Sequence, residues 1–210
     1  MILVTGFEPF GGHPSNPSEE IAKAVDGRVV GGLPVRAAIL PVHHVEAGRA
    51  AVRLLDEHDP LAVLHVGLAA GRMRIALERV ALNVMDYEQA DNAGYQARGE
   101  PCEPDGPAAY LATLPLDGVL EALAREGIPA YLSNTAGTYL CNQTLYATLH
   151  AITTGRRRAL AGFMHVPLSP AMVAASGLDQ PSVDPGIGVR AVEAALRVIA
   201  LRLAGSVRAS

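Results

Sequence analysis

The chain has 210 residues, of which 50% are apolar and 18% are charged, and its formal net charge is −4. This balance excludes a disordered chain, and the length is sufficient for one domain with a substantial hydrophobic core. An acidic chain with 4% aromatic residues offers neither a basic surface nor stacking platforms, which argues against nucleic acid as a partner. We therefore expect a small ligand.

The first residues and the cysteines indicate a cytoplasmic protein. The apolar run after Met1 has no basic residue before it and reaches polar residues at once, unlike a secretory signal. No apolar stretch of the sequence approaches the ~20 residues that a membrane crossing requires. The two cysteines do not make a disulfide framework, and in a cytosol they stay reduced. We expect a free thiol and no membrane contact.

Segments with strand and helix patterns alternate along the chain. Residues 1–5 form an apolar run, and after a Gly/Pro-rich loop a helix begins near Ser18, with Asn16 as its cap and Pro17 in its first turn. Further strands are predicted over 35–40, 61–66, 130–133 and 159–166, an extended segment over 74–84, and helices over 45–57, 116–126, 142–152 and from 184–185 onward. This alternation predicts a single α/β domain over residues 1–210, with a largely parallel sheet covered on both faces. Residues 85–108 and 167–186 fit neither pattern, and we expect binding loops, lids or subunit contacts there.

The loop after the first strand, residues 6–13, has two glycines at the spacing of a nucleotide-binding loop but lacks its chemistry. Lys followed by Ser or Thr would have to come after the second glycine, and Gly12 and His13 stand there instead. The loop nevertheless follows the carboxyl end of a strand, where open α/β sheets bind their ligands. Phe7 and Phe10 therefore either contact a ligand or hold the loop against the core, and the pattern alone leaves both alternatives open.

The histidines do not indicate a metal site. His43 and His44 are adjacent, but the sequence has no His-Glu-x-x-His pattern, and neighbours on an extended chain point to opposite faces. His65 lies in a predicted strand and is interpreted as a buried histidine with satisfied hydrogen bonds. We therefore expect no metal.

Of the two cysteines, Cys141 is the better candidate for a nucleophile. Cys102 lies among acidic residues, which raise the pKa of a thiol and leave it inert. Cys141 begins a predicted helix, where unpaired N–H groups and the helix dipole favour a thiolate and offer donors to an oxyanion. The alternative is a buried structural cysteine, the commoner role of this residue type.

A cysteine nucleophile needs a base and a group that orients the base. His165 ends a predicted apolar strand, and one strand–helix–strand unit covers the interval from Cys141, which predicts that both lie at the same edge of the sheet. Glu78 lies in an otherwise apolar, extended segment. Its carboxylate either pairs with Arg74 or Arg79 as a structural ion pair or orients an imidazole, and spacing alone does not choose.

Four sequence blocks together resemble the pyroglutamyl peptidases, also called pyrrolidone carboxyl peptidases. In the family's order they are residues 5–12 with 16–18; 66–67 through 71–72 to 78–83 and 91–94; 133–142; and 162–167. The resemblance extends over nearly the whole chain. It implies a three-layer α/β/α sandwich, a catalytic triad of Glu78, Cys141 and His165, and a cytosolic homo-oligomer, often a tetramer, that needs no cofactor.

The activity that the resemblance implies is hydrolysis of the amide bond after an N-terminal pyroglutamyl residue of a peptide, through a thioester. His165 would take the proton of Cys141 and return it to the leaving amine, while Glu78 holds the imidazole. The lactam ring has no charge, so an apolar pocket suits it. The substrate-binding residues that the resemblance implies are Phe7, Phe10, Tyr139 and Leu140.

Two departures from the family's pattern leave alternatives open. Leu68 stands where some relatives have Gln, and Glu88-Gln89-Ala90 stands where many have Arg-Ile-Pro. Because Glu in place of Arg reverses a charge near the pocket, one alternative is a weakened or substrate-shifted homologue that acts as a ligand-binding domain. If that Arg polarises the scissile carbonyl in relatives, Arg72 or Arg74 would have to replace it. A phosphorolytic enzyme on a similar scaffold is a further rival.

Overall fold

The computed structural model of the protein describes residues 1–177 and 179–207, with side chains described through residue 205. The strands in chain order are β1 Ile2–Phe7, β2 Val29–Val30, β3 Leu33–Leu40, β4 Ala62–Leu68, β5 Ile75–Glu78, β6 Val80–Leu82, β7 Met85–Asp86, β8 Arg98–Glu100, β9 Ala109–Leu111, β10 Ala130–Ser133 and β11 Leu160–Val166. The helices are α1 Pro17–Val25, α2 Glu46–His58, α3 Leu116–Arg125, α4 Leu140–Thr154, α5 Pro170–Ser176 and α6 Pro185–Val207. Within the described ranges, none of these helices is both long and apolar enough to cross a lipid bilayer.

Seven strands form one sheet in the order β10-β5-β11-β4-β1-β3-β2. The central strands β11, β4, β1 and β3 are parallel. β5 is antiparallel to β11, while β10 is parallel to β5, so these two strands run against the centre of the sheet. The prediction of a largely parallel sheet is confirmed, and β1 and β4 are buried along their whole length, as parallel strands covered on both faces should be.

Helices cover both faces of the sheet, which confirms the α/β/α sandwich. Successive side chains of a strand point to opposite faces, so each strand contributes to two cores. Val4 and Leu64 belong to the core that α1, α3 and α6 cover. Leu3 and Val63 belong to the core beneath α2 and α4.

The first loop leads from β1 into α1 as the sequence predicts. The Asn16 side chain accepts a hydrogen bond from Ser18 N at 3.0 Å and caps the helix, and Pro17 occupies the first turn. The helix start lies very close to β1, because a Cβ on Gly6 would approach Ser18 O to 2.3 Å. Only glycine permits this approach, so the loop that follows β1 is held in a fixed position.

The two segments without a clear pattern contain short elements. Residues 85–108 include the antiparallel pair β7 and β8. Residues 167–186 include α5, which the Ser169 side chain caps by accepting a hydrogen bond from Met172 N at 3.3 Å, and which ends at Gly177 with φ 65°. These elements are too short for a periodic apolar pattern to reveal them.

α4 and β11 bring two distant parts of the sequence to one sheet edge. A short turn joins them and they pack together, so the first turn of α4 lies beside the carboxyl end of β11. Cys141 and His165 consequently line one cavity. The strand–helix–strand argument for this proximity was wrong, because β10 is antiparallel to β11; the helix and the strand after it are sufficient.

Candidate active site

Cys141 lies in the first turn of α4, against the surface of the sheet. The helix follows Tyr139 as its N-cap, and no side chain caps it, so its first N–H groups remain available. A Cβ on Gly67 would come to 3.0 Å from Cys141 Sγ and 2.7 Å from the Phe163 ring. Gly67 therefore makes room for the sulfur. Gly67 is also the register partner of His165 in the β4–β11 pair.

His165 is oriented by Glu78 from the neighbouring strand. Phe163 is the direct register partner of Glu78, and Ala76 that of His165, which makes Glu78 and His165 diagonal neighbours on one face. The His165 Nδ1–H donates to Glu78 Oε1 at 2.8 Å. Glu78 is fully buried and His165 is 3% exposed. This bond fixes the tautomer and leaves Nε2 as a proton acceptor.

Of the two alternatives left open for Glu78, the carboxylate that orients an imidazole is observed, and its ion-pair partner is Arg72 and not Arg74 or Arg79. Arg72 Nη1 donates to Glu78 Oε1 at 2.8 Å. Arg74 instead lies over the Tyr131 ring, with its guanidinium carbon 4.8 Å from the ring centroid. Consecutive residues of an extended strand point to opposite faces, which directs Arg79 away from its neighbour Glu78. The carboxylate thus has both an ion pair and an imidazole.

Burial and charge determine the protonation states of the three groups. Burial alone would raise the pKa of Glu78, but the hydrogen bond and charge of His165, with smaller effects of Ser133 and Arg72, hold it below its ordinary value. Burial lowers the pKa of His165, and Glu78 opposes this only in part. At neutral pH the site therefore holds a carboxylate beside a neutral imidazole.

The expectation of a thiolate at rest is wrong for Cys141. Burial raises the pKa of its thiol to about 12, the Glu78 charge adds to the effect, and Arg72 and the backbone oppose it. The sulfur and the imidazole line the same cavity, and within the described residues no hydrogen bond joins them. Such contacts often tighten only in the complex with substrate. The thiol is protonated until a base takes its proton.

The cavity in front of Cys141 has a volume of about 590 Å³. Phe10, Leu68 and Tyr139 give it apolar walls, and the Phe10 and Tyr139 ring centroids are 5.9 Å apart. Small residues and polar side chains form the rest of the wall. The polar side chains that line it, besides Cys141 and His165, are His13, Arg72, Asp86, Glu88, Gln89 and Thr138.

Two of the four predicted substrate-binding side chains lie elsewhere. Phe7 is 3% exposed and packs on Phe163 in the core, with ring centroids 6.3 Å apart, so it holds the loop down as the alternative interpretation proposed. Leu140 is 1% exposed and belongs to the same core. It lies on the side of α4 that faces the core. Phe10 and Tyr139 do line the cavity.

Segment 85–97 supplies a wall residue that sequence reasoning missed, Asp86, next to Glu88 and Gln89, which the departures from the family's pattern had placed near the pocket. Hydrogen bonds hold this segment to the region around the nucleophile. The Thr138 hydroxyl donates to Asp86 O at 2.6 Å, and the Tyr139 hydroxyl donates to Ala90 O at 3.2 Å. The only sequence signal for Asp86 was a run of polar residues in a predicted loop. No local pattern shows that this loop contacts the residues around Cys141.

His43 and His44 depart from the opposite-face expectation, since their rings stack with centroids 4.8 Å apart. With Asp91 they bring three possible metal ligands within 4.8 Å of one another. The Asp91 carboxylate is already used, because it accepts from His44 N and Nδ1, Ala93 N and Tyr95 N. This cluster serves to fold the loop.

The other two titratable residues interpreted from the sequence behave as expected. His65 is fully buried between the hydroxyls of Thr5 at 2.7 Å and Thr148 at 3.0 Å, and burial lowers its pKa to about 3. Burial, with a smaller effect of Glu103, raises the pKa of Cys102 to about 12. The Cys102 thiol is therefore protonated, as expected, although desolvation matters more than the nearby acids, and it does not share the cavity of His165 as Cys141 does.

Comparison with known proteins identifies the family. The family model described as Pyroglutamyl peptidase matches residues 1–202. The chain belongs to the pyroglutamyl peptidase family. It is 48% identical over 201 residues to the pyrrolidone-carboxylate peptidase of Deinococcus radiodurans, covering 95% of this chain and 92% of that protein. It is 41% identical to the namesake of Coprothermobacter proteolyticus over 95% of this chain and 96% of the relative.

Solved structures in the family have the same fold. A mutant pyrrolidone carboxyl peptidase of the hyperthermophile Pyrococcus furiosus superimposes with a TM-score of 0.93 at 40% identity, covering 96% of this chain and 99% of that one. A second mutant of the peptidase from the same organism gives a TM-score of 0.92 at 41% identity, covering 96% of this chain and 98% of the other. The chain thus shares the fold of the Pyrococcus furiosus peptidase nearly from end to end.

Proposed function

We propose that this protein is a cysteine exopeptidase that hydrolyses the amide bond after an N-terminal pyroglutamyl residue. The observation that carries the proposal is one cavity lined by a helix-start cysteine and by an imidazole that a buried carboxylate orients. Family membership supports the same chemistry. A ligand-binding homologue without catalysis would have no use for a fully buried Glu78 paired with His165.

The proposed reaction begins with transfer of the Cys141 proton to His165 Nε2. The sulfur attacks the carbonyl carbon that follows the lactam ring, and the carbonyl electrons move to its oxygen. When the oxyanion collapses, the C–N bond breaks and His165 gives its proton to the departing amine. Water, deprotonated by the same imidazole, then attacks the thioester, and the thiol recovers its proton as pyroglutamate leaves.

Glu78 and the first turn of α4 stabilise the charges that develop in this reaction. Glu78 is ionised and accepts from His165 Nδ1, so it stabilises the imidazolium that forms when the thiol loses its proton. The N–H groups at the start of α4 have no partner within the helix and lie beside Cys141, where an oxyanion would form. Since the resting thiol is protonated, both charges arise together during the attack.

The apolar part of the cavity suits a lactam ring without charge. Phe10, Leu68 and Tyr139 offer a surface for its methylene groups. A free N-terminal Glu or Gln would bring a charged amine to this surface, and desolvating such a group without a partner costs several kcal/mol. The proposal therefore includes selection of N-terminally pyroglutamylated peptides over unblocked ones.

The resemblance adds expectations that we retain as proposals. The whole chain, residues 1–210, acts as one peptidase domain without a cofactor, in the cytoplasm and as a homo-oligomer, of which a tetramer is one form. Two free cysteines agree with a reducing compartment. Size-exclusion chromatography with light scattering of the purified protein measures the subunit number.

The direct test measures release of a chromogenic amine from its pyroglutamyl amide. Cys141→Ala should abolish release, while Cys102→Ala, the matched control with the other thiol removed, should retain it. Inactivation by iodoacetamide should be slowed by 2-pyrrolidone, which occupies the ring pocket. Normal release by Cys141→Ala would exclude the proposal, and turnover that requires phosphate would favour a phosphorolytic enzyme.

A further inference from the structure

Arg72 connects three segments at the back of the cavity. It lies in the loop between β4 and β5, and its Nη1 donates to Glu78 Oε1 at 2.8 Å and to the Tyr131 hydroxyl at 2.9 Å. Its Nη2 reaches the carbonyl oxygen of Thr135 at 3.5 Å, in the loop that leads to the nucleophile. The side chain is 22% exposed and lines the cavity. These contacts orient the guanidinium toward Glu78 and Tyr131.

Arg72 and His165 share a single oxygen of Glu78. Both nitrogens lie 2.8 Å from Oε1, whereas Oε2 is buried and, among the described residues, has no hydrogen-bond partner. A carboxylate that served His165 alone would stabilise a resting imidazolium strongly. The second cation at the same oxygen reduces that effect, and it also repels a positive imidazole directly.

We propose that Arg72 is a positioning residue that tunes the basicity of His165: it keeps Glu78 ionised and oriented and, together with burial, limits how far Glu78 stabilises a protonated imidazole at rest. The inference depends on the proposed function only in giving His165 the role of base. It replaces the sequence-based idea that Arg72 or Arg74 polarises the scissile carbonyl.

The other charged groups around His165 do not duplicate this effect. Glu78 faces it from β5 and the thiol of Cys141 from α4. The cavity wall adds the carboxylates of Asp86 and Glu88 and the imidazole of His13. Within the described part of the chain, Arg72 is the arginine paired with Glu78. Its charge lowers the pKa of both His165 and Cys141, so its removal should raise both.

The test compares Arg72→Gln with two matched variants. Arg72→Lys keeps the charge, and Arg74→Gln removes one charge from the residue that stacks on the same Tyr131 ring without bonding Glu78. The first readout is the acidic midpoint of the pH dependence of kcat/KM. We expect Arg72→Gln to raise this midpoint by about 0.5 to 1 pH unit, Arg72→Lys to remain near the parent, and Arg74→Gln to leave both midpoint and activity unchanged.

A second readout needs no peptide substrate. The rate of Cys141 alkylation by iodoacetamide is measured against pH in a Cys102→Ala background, and its midpoint should rise with Arg72→Gln in the same way. If Arg72→Gln does not fold, as judged by circular dichroism, the apolar Arg72→Met takes its place. Reduced activity with both midpoints unchanged means a purely structural role and overturns the inference. That result would leave the peptidase assignment intact, because Cys141→Ala tests it separately.

Discussion

Replacing Glu78 by Gln removes one negative charge from a fully buried position with almost no change in shape. The amide oxygen can still accept from His165 Nδ1, so the imidazole keeps its tautomer. What is lost is the charge that stabilises the imidazolium. A hydrogen bond to a charged group contributes about 1.5–3 kcal/mol, compared with about 0.5–1.5 kcal/mol for a neutral one.

The difference between the two figures, about 1–1.5 kcal/mol, sets the scale of the kinetic effect. If this charge-assisted part is lost only in the transition state, kcat/KM should fall roughly 5- to 10-fold, since 1.4 kcal/mol corresponds to a factor of ten. Glu78 raises the pKa of His165 against the effect of burial, so the variant should lower that pKa and move the acidic midpoint of kcat/KM to lower pH. This is opposite to the shift expected for Arg72→Gln.

The assay is release of a chromogenic amine between pH 4 and 9, with thermal unfolding measured in parallel. The amide nitrogen of the variant would occupy the position of Oε2, which has no partner among the described residues, so a stability loss of about 1–3 kcal/mol should accompany the kinetic change. Glu57→Gln is the control, because this exposed residue at the end of α2 loses the same charge far from the cavity. Unchanged activity and midpoint in Glu78→Gln would refute the proposed role of the carboxylate.

Buried contacts and wall charges support three further predictions. His65 has a folded-state pKa of about 3, below its ordinary 6.5, so the unfolded chain binds the extra proton and stability falls as the pH drops from 6.5 toward 3. Between pH 6 and 4.5, the free energy of unfolding in urea should change with pH less steeply in His65→Gln than in the parent, by about 1.4 kcal/mol per pH unit. An unchanged pH dependence would contradict this. Gly67→Ala should reduce both activity and stability, because the new Cβ would overlap the Phe163 ring; the loss of stability should be about 1–3 kcal/mol. Gly205→Ala is the control, since a Cβ there meets open space and should not destabilise the fold. Glu88 lines the cavity and is exposed, so its charge can attract a basic residue of the substrate. Glu88→Gln should therefore lower kcat/KM for pyroglutamyl peptides with Arg in the next position more than for those with Glu there. Equal effects on both peptides would exclude a role in selectivity.

The strand and helix order could be predicted because its signals are local. Asn16 and Pro17 mark the start of α1, and the apolar stripe after Pro185 marks α6. The reversed direction of β5 and β10 has no local signal, because a strand carries the same alternation of side chains whichever way it runs. The ion-pair partner of Glu78 could not be found either, since Arg72 reaches it from the preceding loop and not from the strand itself.

Phe7 and Phe10 show the same limit within the site. Both lie in the glycine-rich stretch 6–13, and their sequence context does not separate them. β1 extends to Phe7 and directs that ring into the core against Phe163, whereas Phe10 lies beyond the strand end and faces the cavity. Whether an aromatic residue contacts substrate therefore depends on where the strand ends, a boundary that a pattern fixes only to within a few residues.

The protonation state of Cys141 is the point at which a correct motif led to a wrong electrostatic conclusion. A helix N-terminus stabilises a negative charge by about 0.3–1 kcal/mol, and by ~2 kcal/mol at best, which corresponds to a pKa change of ~1.5 or less. Burial, with a smaller effect of the Glu78 charge, raises the pKa of this thiol from 9.0 to about 12 and outweighs the dipole. The thiolate must therefore be generated with the help of His165, whose basicity depends on its burial and on the pair formed by Glu78 and Arg72. The reactivity of the sulfur consequently depends on β5 and the loop before it, and not only on the helix that carries it.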